Sequence, residues 1–459
     1  VIMALFAFTF TVSAQTDGWV LNSDNTWSYY EDGSKVCSSE IWSNDNYYRL
    51  DENGIMLDAE WYYDDWLGGW CYYGVGGAKY TYRVAQIGNY YYGFDQNGIL
   101  YDDQLFEIYD EELGYYLTYF ATPVSSNEGR LLTSQWKEID GEWYFFSSGA
   151  SAFESCSKQM GGKYYAFDSS GIMLKDGTYS ITYYNENLGE WISVGTYKAD
   201  SEGVLSTNEW YEYESSRERY DEETDEWYTE YYTGWNYFSA DGKRLENCTA
   251  KINNIYYGFS DSGEMYDDTA FSLGYWDEKL DEWIYQGDYR AKPGGALYVN
   301  QWYEYIWSSK WYDEYTGEWY TEYYSNWYYY GAGGKMATGT YWINNKLYGF
   351  YDDGQLAINS FVTVGDKSFI TDENGIATIL ANNKWTQANG DWYYMQNGEL
   401  CSYGVYRIDG KLYAFDGEGK MYADEATEFY NHETDTWNYY YAKANGVVAE
   451  KEWVQRGGY

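Results

Sequence analysis

Aromatic residues alternate across short runs in this chain, and each run closes on Asp, Asn, Ser and Gly. In GEWYFFSSG (residues 141–149), Trp143 and Phe145 fall on one face of an extended strand, Tyr144 and Phe146 on the other. The closing residues fit a turn that needs positive φ. Both faces are aromatic, so neither can be left in water. A lone hairpin is marginal, whereas stacked hairpins cover each other's rings. The pattern predicts an all-β chain with no long helix.

The runs recur in three motif types. WYFFSSG at Trp143 has copies starting at Trp27, Trp70, Trp235, Trp327 and Trp392. YYAFDSSGIM at Tyr164 has copies at Tyr47, Tyr91, Tyr256, Tyr348 and Tyr413. YKADSEGVLSTNEW at Tyr197 has copies at Tyr289 and Tyr441. From Trp70 the first motif steps by 73, 92, 92 and 65 residues, and the second motif's glycines, from Gly98, step by 73, 92, 91 and 65. Separate motifs that keep step through uneven intervals mark whole units gained or lost together. An aromatic, an Asp or Asn and a second aromatic seven positions on also recur, as in YDEYTGEW from Tyr312. These segments read as hairpin turns with solvated acidic tips. A calcium loop would need denser oxygen ligands in fixed order.

Composition narrows the function. Of 459 residues, 63 are Tyr, 24 Trp and only two Pro, where average usage would give about twenty Pro. The net charge of -44 excludes a basic face for nucleic acid or anionic lipid. So many aromatics exclude acidic disorder. The single His432 rules out most His-based zinc sites and catalytic triads. The carboxylates sit on repeated turns rather than in one constellation, so neither catalysis nor a metal or cofactor is expected. Five cysteines show no CxxC pair, and Cys156 and Cys248 occupy equivalent repeat positions, which reads as a structural slot.

Residues 1–14 read as a signal peptide lacking its basic start, with Val12-Ser13-Ala14 as a cleavage site. Residues 15–459 read as one continuous array. The final WVQRGGY stops one residue before the aromatic that the repeat would place at plus seven, so the chain reads as a fragment cut at both ends.

WKEIDGEWYFFSSG (136–149) and WTQANGDWYYMQNG (385–398) share the form W-x4-G-x-W-aromatic-aromatic-x3-G. This resembles the cell-wall-binding repeats of bacterial surface proteins, including choline-binding modules and the glucan-binding repeats of glucosyltransferases. The resemblance covers the chain from about Gly18 onward. It implies an elongated β-hairpin solenoid, secreted and held at the cell wall or surface, with aromatic grooves between consecutive hairpins. The implied partner is a cell-wall polysaccharide, a glucan or a choline-bearing polymer, with no membrane insertion. The implied ligand residues are Trp136, Trp143 and Tyr144 with Tyr164, Tyr165 and Met173, then Trp385, Trp392 and Tyr393 with Tyr413 and Met421. Each of these rings could serve as solenoid core instead. Two departures stand out: Trp210 and Trp235, like Trp302 and Trp327, lie 25 residues apart instead of seven. Their sites are expected to be rebuilt or lost. Two other roles remain open, a spacer presenting acidic tips to a protein and the targeting module of an enzyme whose catalytic domain lies elsewhere.

Overall fold

A computed structural model describes residues 17–185, 188–221, 224–277, 279–432 and 434–450. The leader expected over 1–14 and the open end expected after Trp453 lie outside the described residues. The described residues form antiparallel hairpins in small sheets of two or three strands. Among the described residues, helix is limited to Val124–Asn127 and one 3-10 turn, Ala332–Gly334. The chain divides into two compact units, Val1–Tyr211 with Tyr237–Arg244, and Glu212–Asn236 with Leu245–Tyr459.

The unit is plainest in the middle of the first body. Gln135–Ile139 pairs with Glu142–Phe146, setting Trp136 opposite Phe145. Cys156–Met160 pairs with Lys163–Phe167 in the next hairpin. A tight loop then returns the chain. Asp168 Oδ1 accepts the N–H groups of Ser170 and Ile172 at 2.8 and 2.9 Å, which is how an Asx turn substitutes for backbone pairing. Gly171 takes φ +79°, a left-handed conformation that costs glycine little. The Asp and Gly of the second motif therefore build the joint between repeats.

The loop ends by tying one hairpin to the one before. Met173 N–H donates to the Trp143 carbonyl at 2.7 Å. Equivalent bonds join Met56 to Trp27, Leu100 to Trp70, Leu205 to Tyr164, Leu297 to Tyr256 and Met421 to Trp392, all at 2.8–2.9 Å. The cores are correspondingly local, one small cluster per groove between successive hairpins.

Two acidic tip loops that are described in full, 111–114 and 314–317, are hairpin turns, as their pattern predicts. At one tip Asp313 Oδ1 accepts Tyr315 N–H at 2.8 Å, and Gly317 lies at φ +72°. Tyr315 is fully exposed. The 25-residue Trp spacing is also explained for Trp302. Gln301–Asp313 and Glu318–Tyr330 form a longer hairpin in unbroken register, so the added residues extend its outer end and leave Trp302 opposite Tyr329.

Candidate functional site: Trp-framed clefts

One ring arrangement recurs at five hairpins that open on a Trp. Trp136 meets Trp143 at 6.4 Å and 77°, Phe145 at 5.2 Å, and Tyr165 of the next hairpin at 5.0 Å and 70°. Trp385 meets Trp392 at 6.4 Å and 82°, Tyr394 at 5.0 Å, and Tyr413 at 4.7 Å. Edge-to-face contacts at these distances each contribute about 0.5–1.5 kcal/mol beyond area burial. They hold the rings as a rigid frame.

Three further copies escaped the sequence consensus. Trp302 meets Trp327 at 6.4 Å and 77°, and Tyr348 at 5.2 Å. Trp61 packs on Tyr72 and on Tyr92 of the next hairpin, both at 5.0 Å. Trp19 packs on Tyr29 at 5.2 Å and on Tyr48 at 5.0 Å. A signal for them exists in the spacing from the second Trp to the loop residue it anchors. Trp143 precedes Met173 by 30 positions, Trp70 precedes Leu100 by 30, and Trp327 precedes Leu356 by 29.

In these five copies the second Trp keeps an open face, whereas Trp235, which follows Trp210 in the same way, is half-buried. Trp27, Trp70, Trp143, Trp327 and Trp392 are 37–42 % exposed. The first Trp is half-buried behind it. The expected ligand residues therefore separate by strand face. Trp136, Trp143 and Tyr165 come together, as do Trp385, Trp392 and Tyr413. Tyr144 is buried on the opposite face with Phe120, Phe146 and Ala152. Tyr393 is buried with Ile370, Leu380 and Met395. Tyr164 packs against Ala166, Ile181 and Tyr197, in the following groove. Burial raises the phenol pKa of both Tyr144 and Tyr393, so both stay neutral. Met173 and Met421 floor the joint, where a Cβ on Gly203 or Gly446 of the following loop would come within 2.5 and 2.3 Å of their methyl carbons.

Among the described residues no three His, Cys, Asp or Glu side chains are grouped as a metal ion would require. The cysteines are unpaired. Burial pushes the Cys156 thiol up to about 11, which keeps it protonated in its slot. No described helix is long and apolar enough to cross a membrane.

No family model matches the chain. Among known proteins it is similar to glucosyltransferase-S of Streptococcus mutans, 29 % identical over 127 residues, covering 28 % of this chain and 8 % of that protein. It is also similar to glucosyltransferase-I of Streptococcus downei, 20 % identical over 555 aligned positions, covering 95 % of this chain and 32 % of that protein. The chain thus spans at most about a third of the length of these relatives. Among solved structures it is similar to choline binding protein F of Streptococcus pneumoniae, crystallised with a peptidoglycan analogue. That match has 15 % identity and a TM-score of 0.24, and covers 75 % of this chain and 98 % of that one. In sequence the chain is similar to streptococcal glucosyltransferases, one of the groups that its aromatic repeats resemble.

Proposed function

We infer that the chain is a non-catalytic, secreted binding array. Its hairpins stack as a β-solenoid within each unit. Its Trp-framed clefts hold a cell-wall polysaccharide, a glucan or a choline-bearing polymer. The observation that carries this reading is the repeated frame, five times over, with one indole in each copy left 37–42 % exposed. A ring whose only role is core packing gains nothing from repeated exposure. An open indole face suits the C–H face of a sugar, and it suits a quaternary ammonium through cation–π attraction of about 0.5–2 kcal/mol. Each cleft is weak, and the array gains avidity through effective concentration.

The bare tips favour one alternative. Tyr315 and Trp66 are 102 % and 90 % exposed, as a spacer presenting its hairpin ends to a protein partner would have them. The deciding experiment is retention on purified streptococcal cell wall and on insoluble glucan, with choline and gluco-oligosaccharide as competitors. Saturable retention released by one competitor supports the clefts and names their ligand class. Absence of retention on both polymers favours the spacer.

A further inference from the structure

One groove of the second unit departs from both the Trp frame and the closed cores. It lies between the hairpin of Ala270–Asp277 with Glu282–Arg290 and the hairpin of Gln301–Asp313 with Glu318–Tyr330. Register identifies its slots. Met336 N–H donates to the Asp288 carbonyl at 2.8 Å, as Met173 does to Trp143, so Asp288 holds the place of the exposed Trp. Ala270 pairs with Arg290 as Trp136 pairs with Phe145. The inner Trp has thus become Ala, the outer Trp Asp, and the cross-strand ring Arg. Replacing an indole by a methyl opens a cleft of about 400 Å³, lined also by Tyr305, Tyr328 and Asp353.

The wall chemistry selects an occupant. The Arg290 guanidinium lies over the Tyr303 ring, 4.2 Å from its centroid, and so occupies what would be a cage wall for a cation. A quaternary ammonium would meet that positive charge. An anion would meet Asp288 and Asp353. Asp288 is held in place by hydrogen bonds from the Ser272 hydroxyl and the Tyr285 phenol. The walls thus offer carboxylate acceptors, guanidinium donors and phenols that do both, over aromatic faces. That set matches a neutral ligand rich in hydroxyls. The same strand face continues outward through Trp307 beside Tyr324 at 5.4 Å and Trp311 beside Tyr320 at 5.1 Å. Trp307 and Trp311 lie four residues apart on that strand, roughly 13 Å, with Ser309 opposite Glu322 between them, so the rings run on from the cleft as spaced stations of a track.

We propose that this cleft and track form a binding site for an uncharged, linear oligosaccharide, separate from the Trp-framed clefts and selective against choline. The claim does not depend on which ligand the Trp-framed clefts take.

Hydroxyl-radical footprinting of the full chain reads each site separately. Isomaltoheptaose and a neutral N-acetylglucosamine hexamer serve as sugar probes, and choline chloride as the cation. At least one sugar should slow oxidation of Tyr305, Trp307 and Met336 several-fold, and choline should leave them unchanged. Ala270→Trp, which refills the cleft, should abolish that protection. Tyr305→Ala, an exposed position, should weaken it as read at Met336, with far-UV circular dichroism confirming the fold in both variants. Absence of protection by either sugar would overturn the proposal, as would equal protection by choline or full protection of Met336 in Tyr305→Ala. Protection at Trp143 and Trp392 reports on the Trp-framed clefts independently.

Discussion

The hairpin of Cys156–Met160 with Lys163–Phe167 has one face in each of two very different grooves. Toward the preceding hairpin, Tyr165 closes on Trp136, and the neighbouring indole of Trp143 stays open. Toward the following one, Ser157 and Tyr164 take the slots that Trp136 and Trp143 hold, and Leu205 takes that of Met173. Ile181, Tyr197 and Leu205 are 4, 3 and 4 % exposed, and the groove is closed core. Backbone geometry is shared, so side chains make the difference. A large ring at the inner slot props the outer ring into solvent, whereas beside Ser157 and Tyr164 the side chains of Ile181 and Tyr197 fill the groove.

The largest effect that follows is structural and belongs to the closed side. Ile181→Ala leaves a cavity among packed neighbours, and cavities of this kind cost about 2–5 kcal/mol. Thermal or denaturant unfolding should show that loss, while ligand retention survives under conditions where the variant is folded. Equal loss of retention and stability would mean that the two faces are not separable.

Trp143→Ala should behave in the opposite way. Removing a ring that is 37 % exposed forfeits one aromatic contact, about 0.5–1.5 kcal/mol, besides the burial of the rest of the indole. Unfolding should move less than in Ile181→Ala, and footprinting should lose ligand protection at this cleft. A stability loss as large as that of Ile181→Ala would reassign Trp143 to the core.

The smallest effect sharpens the picture of a second closed groove, between the hairpin of Gln104–Asp110 with Tyr115–Ala121 and that of Gln135–Ile139 with Glu142–Phe146. Glu154 covers it, its Oε1 accepting Thr118 N–H at 2.8 Å. Burial raises its carboxyl above the ordinary 4.5, against the lowering effect of that bond. A carboxyl whose pKa rises on folding stabilises fully below its unfolded value. It loses that contribution as pH climbs through the folded one. Glu154→Gln should therefore gain stability relative to the parent as pH rises above about 4.5. A difference independent of pH would show that the carboxyl is solvated.

Much of this was legible in the sequence. Alternation at Trp143 to Phe146 specifies the strand and its two faces, and Asp168 with Gly171 specifies the loop. The same alternation already separates Tyr144 from Trp143. Grouping the two in one site followed the family resemblance instead, and the structure buries Tyr144 behind the cleft. The clefts at Trp61 and Trp302 were hidden because the consensus counts residues around the hairpin tip. Cross-strand register does not depend on tip length. Residues added beyond Trp302 leave its pairing with Tyr329 unchanged. The groove at Ala270 was invisible to the Trp consensus, since what defines it is the loss of the Trp, although its Arg290 lies in the third motif.

The central claim is that several equivalent, weak Trp-framed clefts share the work of binding. It is tested most directly by truncating the exposed indoles one after another. Trp27, Trp70, Trp143, Trp327 and Trp392 are changed to Ala singly, in pairs and all together, and retention on purified cell wall and insoluble glucan is measured for each folded variant. The account predicts little loss for any single change, growing loss for pairs, and a steep fall for the fivefold variant. Abolition of binding by one substitution, or unaltered binding by the fivefold variant, would contradict it.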